Sequence, residues 1–170
     1  LAAQVDVGTL VVSAGTLSFD LSRDVDAKLA VAGDLTVANG AKISLGALKR
    51  TGRADLAVGG TLTLNGTGTI EVFAGEGTEE GVPGWRAFKQ GGSAVTADEL
   101  VLNGTSKLLV HAARYSGLPV VCNIAGDVTV AEGARIAGSN YTADNNCYGW
   151  GWEAPKGLGY AAGKGGAYGG

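Results

Sequence analysis

The stretch Gly33-Asp34-Leu35-Thr36-Val37-Ala38-Asn39-Gly40-Ala41-Lys42-Ile43 returns later as Gly126-Asp127-Val128-Thr129-Val130-Ala131-Glu132-Gly133-Ala134-Arg135-Ile136. Leu35, Val37, Ile43 and Leu45 are apolar with small or polar residues between them, and Asn39-Gly40 is a turn signal in the middle. The unit reads as strand, tight turn, strand. The same template fits five times, with a first apolar anchor at Leu10, Leu35, Leu62, Leu100 and Val128 and a second at Leu17, Ile43, Ile70, Leu108 and Ile136. A turn glycine (Gly15, Gly40, Gly66, Gly104, Gly133) separates the anchors each time.

Successive first anchors are 25, 27, 38 and 28 residues apart. That spacing is too long for a hexapeptide solenoid and too short for a propeller blade of about 40 residues. A two-strand unit cannot cover its own apolar face, so copies must stack into one continuous core. The spacing therefore predicts an all-β chain, a parallel β-helix (β-solenoid) of about five coils, with equivalent positions about 4.8 Å apart along the axis. Expected boundaries are a solenoid over 1–139 with an insertion loop at 74–93, and a tail over 140–170.

Just before the first anchor the copies carry Thr9, Asp34, Thr61, Glu99 and Asp127; just before the second, Thr16, Lys42, Thr69, Lys107 and Arg135. Acid accompanies base and threonine accompanies threonine. Strand alternation turns these positions outward, so we expect two surface ladders in which a cation of the same coil offsets repulsion between stacked carboxylates. Each exposed pair is worth under about 1 kcal/mol. Solvated surface positions that merely agree in type are the alternative.

The 170 residues include 30 glycines, only 6% aromatics and no methionine, the composition of a slender, small-residue core. A net charge of −3 gives no basic surface, which argues against a nucleic-acid partner. No run of 18 apolar residues is present, so no membrane-spanning helix is expected. The chain starts Leu1-Ala2-Ala3-Gln4 directly before a strand-like run, which we read as a processed product or an excerpt. Cys122 and Cys147 are 25 residues apart, one repeat period, and could stack on adjacent coils. A disulfide there would stabilise by about 3 to 4 kcal/mol and suit an extracellular protein; two buried thiols acting as small apolar residues are the alternative.

Other features carry less. Asp20, Asp24 and Asp26 suit a polar turn better than a calcium loop, lacking its glycines and terminal glutamate. Asn65, Asn103 and Asn140 match the glycosylation pattern, the first two more simply as turn residues. The insertion brings Trp85, Arg86 and Phe88 together beside acids, as a binding loop for a surface glycan or as side chains folded back over apolar surface. The single histidine, His111, cannot build a relay and has no recognisable metal-ligand spacing around it. No cofactor and no catalytic residue are expected. From Asn140 onward Asn, Tyr, Trp and then Gly dominate, the composition of a linker or of a segment that docks its aromatics on a neighbour.

On the repeat Gly33 to Ile43, the chain resembles the passenger repeats of bacterial autotransporter adhesins and of very large bacterial surface proteins. The resemblance spans about residues 5–138, and the tail Gly163-Lys164-Gly165-Gly166-Ala167-Tyr168-Gly169-Gly170 is similar to glycine-rich segments of such proteins. It implies a right-handed coil, a place on or outside the cell, and attachment rather than turnover. The opposing class is a polysaccharide-degrading enzyme resembling the pectate lyases, which needs clustered acids and a base on one sheet face. Here the outward pairs around Asp34 and Asp127 are isolated and diluted by Thr9, Thr16, Thr61 and Thr69. Open coil ends recruit further chain, so self-association, as a head-to-tail homopolymer or within a longer rod, is expected. Tyr148, Trp150, Trp152, Tyr160 and Tyr168 are the residues expected across the joint.

Overall fold

A computed structural model describes residues 2–19, 25–48, 51–82, 85–89, 91–113 and 116–140, with 2–3, 78–82, 85–89 and 139–140 described by their backbone. Coil 1 consists of β1 (Ala2–Val7), β2 (Leu10–Val12) and β3 (Thr16–Phe19), and coil 2 of β4 (Asp26–Val31), β5 (Leu35–Val37) and β6 (Lys42–Leu45). Coil 3 holds β7 (Ala54–Val58), β8 (Thr61–Leu64) and β9 (Thr69–Phe73). A hairpin of β10 (Thr78–Val82) and β11 (Trp85–Lys89) precedes coil 4, which holds β12 (Ser93–Ala97), β13 (Glu99–Leu102) and β14 (Lys107–Ala112). Coil 5 holds β15 (Val120–Ile124), β16 (Val128–Val130) and β17 (Arg135–Asn140).

Each coil gives one strand to each of three five-stranded sheets, A (β1-β4-β7-β12-β15), B (β2-β5-β8-β13-β16) and C (β3-β6-β9-β14-β17). All pairings within them are parallel. The fold is an all-β parallel solenoid that makes about four turns from its first coil to its fifth. No helix of the described residues is long and apolar enough to cross a membrane.

The two anchor rows form as the periodicity predicts. Leu10, Leu35, Leu62, Leu100 and Val128 are successive register partners in sheet B, and Leu17, Ile43, Ile70, Leu108 and Ile136 in sheet C. The middle members are fully buried: Leu35, Leu62, Ile43, Ile70 and Leu108 are each 0% exposed. All five turn glycines between sheets B and C have a left-handed backbone, with φ of 73° at Gly15, 78° at Gly40, 59° at Gly66, 68° at Gly104 and 86° at Gly133. Glycine adopts that conformation at little steric cost, so the corner recurs wherever it does.

Two expectations need correction. The coil has three strands rather than two, because sheet A adds a third interior row, Val5, Leu29, Leu56, Val95 and Cys122. The insertion is not a plain loop: β10 and β11 pair antiparallel, Thr78 opposite Lys89 and Val82 opposite Trp85. Its neck is pinned by a bridge in which the Gly75 amide donates to Gly92 O (3.0 Å) and the Gly92 amide to Gly75 O (2.8 Å). A side chain at Gly75 would lie 2.4 Å from Gly52 O in the coil below, so the neck requires glycine there. The last described strand, β17, runs to Asn140.

Because Leu62 touches interior neighbours in the coils on both sides, Leu62→Ala is expected to cost about 2 to 5 kcal/mol, and Leu62→Asp more, through an unpaired buried charge. Val11→Ala removes a side chain that is 67% exposed and is expected to stay within about 0.5 kcal/mol. Urea unfolding of the three variants measures both.

Candidate functional site

The outward ladders stack as rows, but their acids act differently from the expected ion pairs. Asp34 Oδ1 accepts from the Thr61 amide one coil further on (2.8 Å), while Lys42 Nζ contacts Glu71 Oε2 of the next coil (2.6 Å). The same device recurs at other corners, where Asp26 Oδ1 accepts from the Arg53 amide (2.8 Å) and Asn39 Oδ1 from the Thr67 amide (3.0 Å), and within sheet A, where Asp55 Oδ1 of β7 accepts from the Ala94 amide of β12 (2.8 Å). Corners leave backbone donors that the ladders do not use, and a side-chain oxygen, charged in Asp26 and Asp34, satisfies each one. These carboxylates join coils; they do not converge on a common point. Asp26 itself opens β4, while Asp20 and Asp24 lie outside the described residues. Among the described residues no group of three or more His, Cys, Asp or Glu could hold a metal ion.

Chemistry-bearing side chains do meet on the outer face of sheet C. His111 Nε2 lies 2.9 Å from Glu71 Oε1, and Phe73 stacks on the imidazole with ring centroids 4.4 Å apart and 16° between planes. Parallel pairing sets this up, since His111 lies opposite Phe73 and Leu109 opposite Glu71. His111 is 6% exposed, so it is a buried member of this cluster rather than a solvent-facing surface residue. The sequence signal was weak, because Glu71 and His111 are 40 positions apart across the insertion. Burial pushes the Glu71 carboxyl up, but hydrogen bonds and charge from Lys42 and His111 outweigh it, and its pKa falls below the ordinary glutamate value. Both carboxylate oxygens are thereby engaged, which suits a structural clasp across coils 2, 3 and 4. A buried Glu76 makes a second tie, its Oε2 accepting from the Ser116 amide (2.8 Å) at the neck of the hairpin.

Trp85, Arg86 and Phe88 all fall on β11, opposite Val82, Gly81 and Glu79 of β10. Asn103 Nδ2 donates to Asn65 Oδ1 (3.0 Å), so these two sequon asparagines form a turn ladder. Tyr148, Trp150, Trp152, Tyr160, Tyr168 and Cys147 lie outside the described residues. The expected partner of Cys147, Cys122, occupies the interior row of sheet A at its last coil, where partial burial pushes its thiol pKa up.

That last coil is the most distinctive surface. Val128, Val130 and Ile136 occupy interior rows yet are 50%, 45% and 45% exposed, whereas their partners Leu100, Leu102 and Leu108 are 1%, 0% and 0%. Cys122 is likewise exposed. Beside it, Val58, Ala97, Cys122 and Ile124 help line an open depression of about 450 Å³. The volume falls within the range of ligand pockets and Thr96, Asp98 and Asn123 share the lining, but the open wall would leave a small molecule largely solvated. Among the described residues, coil 5 instead presents a cross-section of the core. Val5, at the opposite end of the Cys122 row, is 41% exposed.

Comparison with protein-family models, with curated proteins and with solved structures gives no match. Function is therefore inferred from this geometry.

The Glu71 clasp has a pH signature. A carboxyl whose folded-state pKa is depressed contributes fully above its unfolded value, and the contribution disappears as pH falls through the folded value. Wild type is expected to exceed Glu71→Gln in stability at neutral pH. The difference should shrink below the ordinary glutamate range, as read from thermal melts between about pH 7 and pH 2.

Proposed function

We propose that the chain is a structural or adhesive β-solenoid of the cell exterior, one piece of a filament or longer surface rod, with no catalytic step of its own. The observation that carries this reading is the exposed core cross-section at coil 5, where Cys122, Val128, Val130 and Ile136 stand in interior rows without a further coil among the described residues. A parallel coil presents a line of backbone donors and acceptors on each edge, and such edges pair with more strand. The free energy available comes from burying side chains already arranged for stacking, at about 25 cal/mol per Å² of apolar surface. The carboxylates of Asp26, Asp34, Asp55 and Glu71 fit this role too, since each fastens one coil to the next. Attachment to a surface glycan through β10 and β11 is compatible with the rod but adds nothing to explain the exposed end.

Sedimentation velocity and negative-stain electron microscopy of the whole chain over a range of concentrations test the reading. Rods of constant width that lengthen with concentration are expected, and Val128→Lys is expected to abolish them by placing a charge in the exposed row. A protein that remains monomeric at the highest concentration overturns it.

A further inference from the structure

We infer that the coil 5 face is built to receive coil 1 of a second copy of this chain, in the same register that joins neighbouring coils within one copy. The inference rests on the rod reading and deepens it by naming the partner and the joint. Three observations converge on it. The interior residues at the two ends terminate the same rows: Cys122 and Val5 in sheet A, Val128 and Leu10 in sheet B, Ile136 and Leu17 in sheet C, with Val5 exposed and Leu10 and Leu17 half-buried at the coil 1 end. A second copy therefore extends every row without a change of register. Its apolar residues also match in kind, branched aliphatics on branched aliphatics, with a thiol on a valine in sheet A.

The polar positions match as well. Within the chain, coil 2 carries Asp34 and Lys42, coil 3 carries Thr61 and Thr69, and Asp34 Oδ1 accepts from the Thr61 amide across their junction (2.8 Å). Coil 5 carries Asp127 and Arg135 in those rows, and coil 1 carries Thr9 and Thr16. Stacking coil 1 on coil 5 recreates the acid-then-threonine junction, with Asp127 positioned to accept from the second copy's Thr9 amide. Backbone pairing follows the same repeat. The Leu10 amide donates to Asp34 O (3.0 Å) and the Leu100 amide to Asp127 O (3.0 Å), so the Val128 amide would donate to the second copy's Thr9 O. Such a contact is head to tail and does not close on itself, so it propagates as a fibre.

Register is tested by proximity. In a Cys147→Ser background, Val5→Cys places a thiol about 4.8 Å from Cys122 of the neighbouring copy if the rows continue. Dibromobimane, which loses one bromide per thiol and fluoresces when both arms are taken, is the probe. A ladder of fluorescent covalent multimers is expected for Val5→Cys and none for Val11→Cys, whose side chain faces outward from the same end coil. Asp127→Ala is expected to weaken association about tenfold or more by removing the charge-assisted bond. Rods that form without a crosslink between position 5 and Cys122, or that link equally through position 11, overturn the register proposal and leave the rod reading standing. Monomers at every concentration overturn both.

Discussion

The structure depends on one constraint: each coil must repeat the backbone path of the coil beneath it closely enough for three parallel ladders to stay in register. Parallel pairing fixes an axial spacing of about 4.8 Å, so every interior position meets its equivalent and no other. The core is therefore a set of rows rather than a cluster, and a residue's neighbours are dictated by residues one coil away. This is why a chain with few aromatics folds at all. Leucine on leucine and valine on valine fill most of the narrow interior, and Phe19 takes a place in the row of Leu45 and Val72.

The same constraint allocates the polar groups. Corners between sheets B and C repeat because a left-handed glycine turns them, and they leave amides that the strands do not use. Asp26, Asp34, Asn39 and Asp55 accept from amides one coil away, the first three at corners and Asp55 within sheet A. Their charge serves backbone satisfaction first, and repulsion along the ladders is limited by that engagement. Lys42, Glu71 and His111 add a side-chain clasp on sheet C. Connections from sheet C to sheet A, by contrast, vary in length from coil to coil. The hairpin of β10 and β11 grows from that permissive corner, with its neck closed between Gly75 and Gly92.

A row-built core also explains the ends. A globular core buries its periphery by curving around it, whereas a solenoid ends in a section through its own interior. Val128, Val130 and Ile136 are as apolar as the buried residues they follow, and differ only in having no coil above them among the described residues. The proposed assembly would require no new kind of surface; it would continue the contact that already holds the coils together.

The sequence by itself determined sheets B and C. Their anchors and turn glycines recur at a spacing that stacking converts directly into rows, because the turn between them has nearly constant length. Sheet A was legible only in part: Leu29, Leu56 and Val95 alternate with small or polar residues as strand residues should, but connections of variable length separate the row from the strand-turn-strand unit that precedes it. Nor could the sequence show that β10 pairs with β11, since the apolar alternation there is broken by glycine and charge. The acids illustrate the same limit. Asp34 and Lys42 are paired by position within a coil, yet Lys42 reaches Glu71 and Asp34 reaches the Thr61 amide, because contacts run along the axis. Composition and period decide that coils form and stack, whereas tertiary structure decides what each side chain touches, its neighbours lying one coil away at a distance in sequence that insertions change.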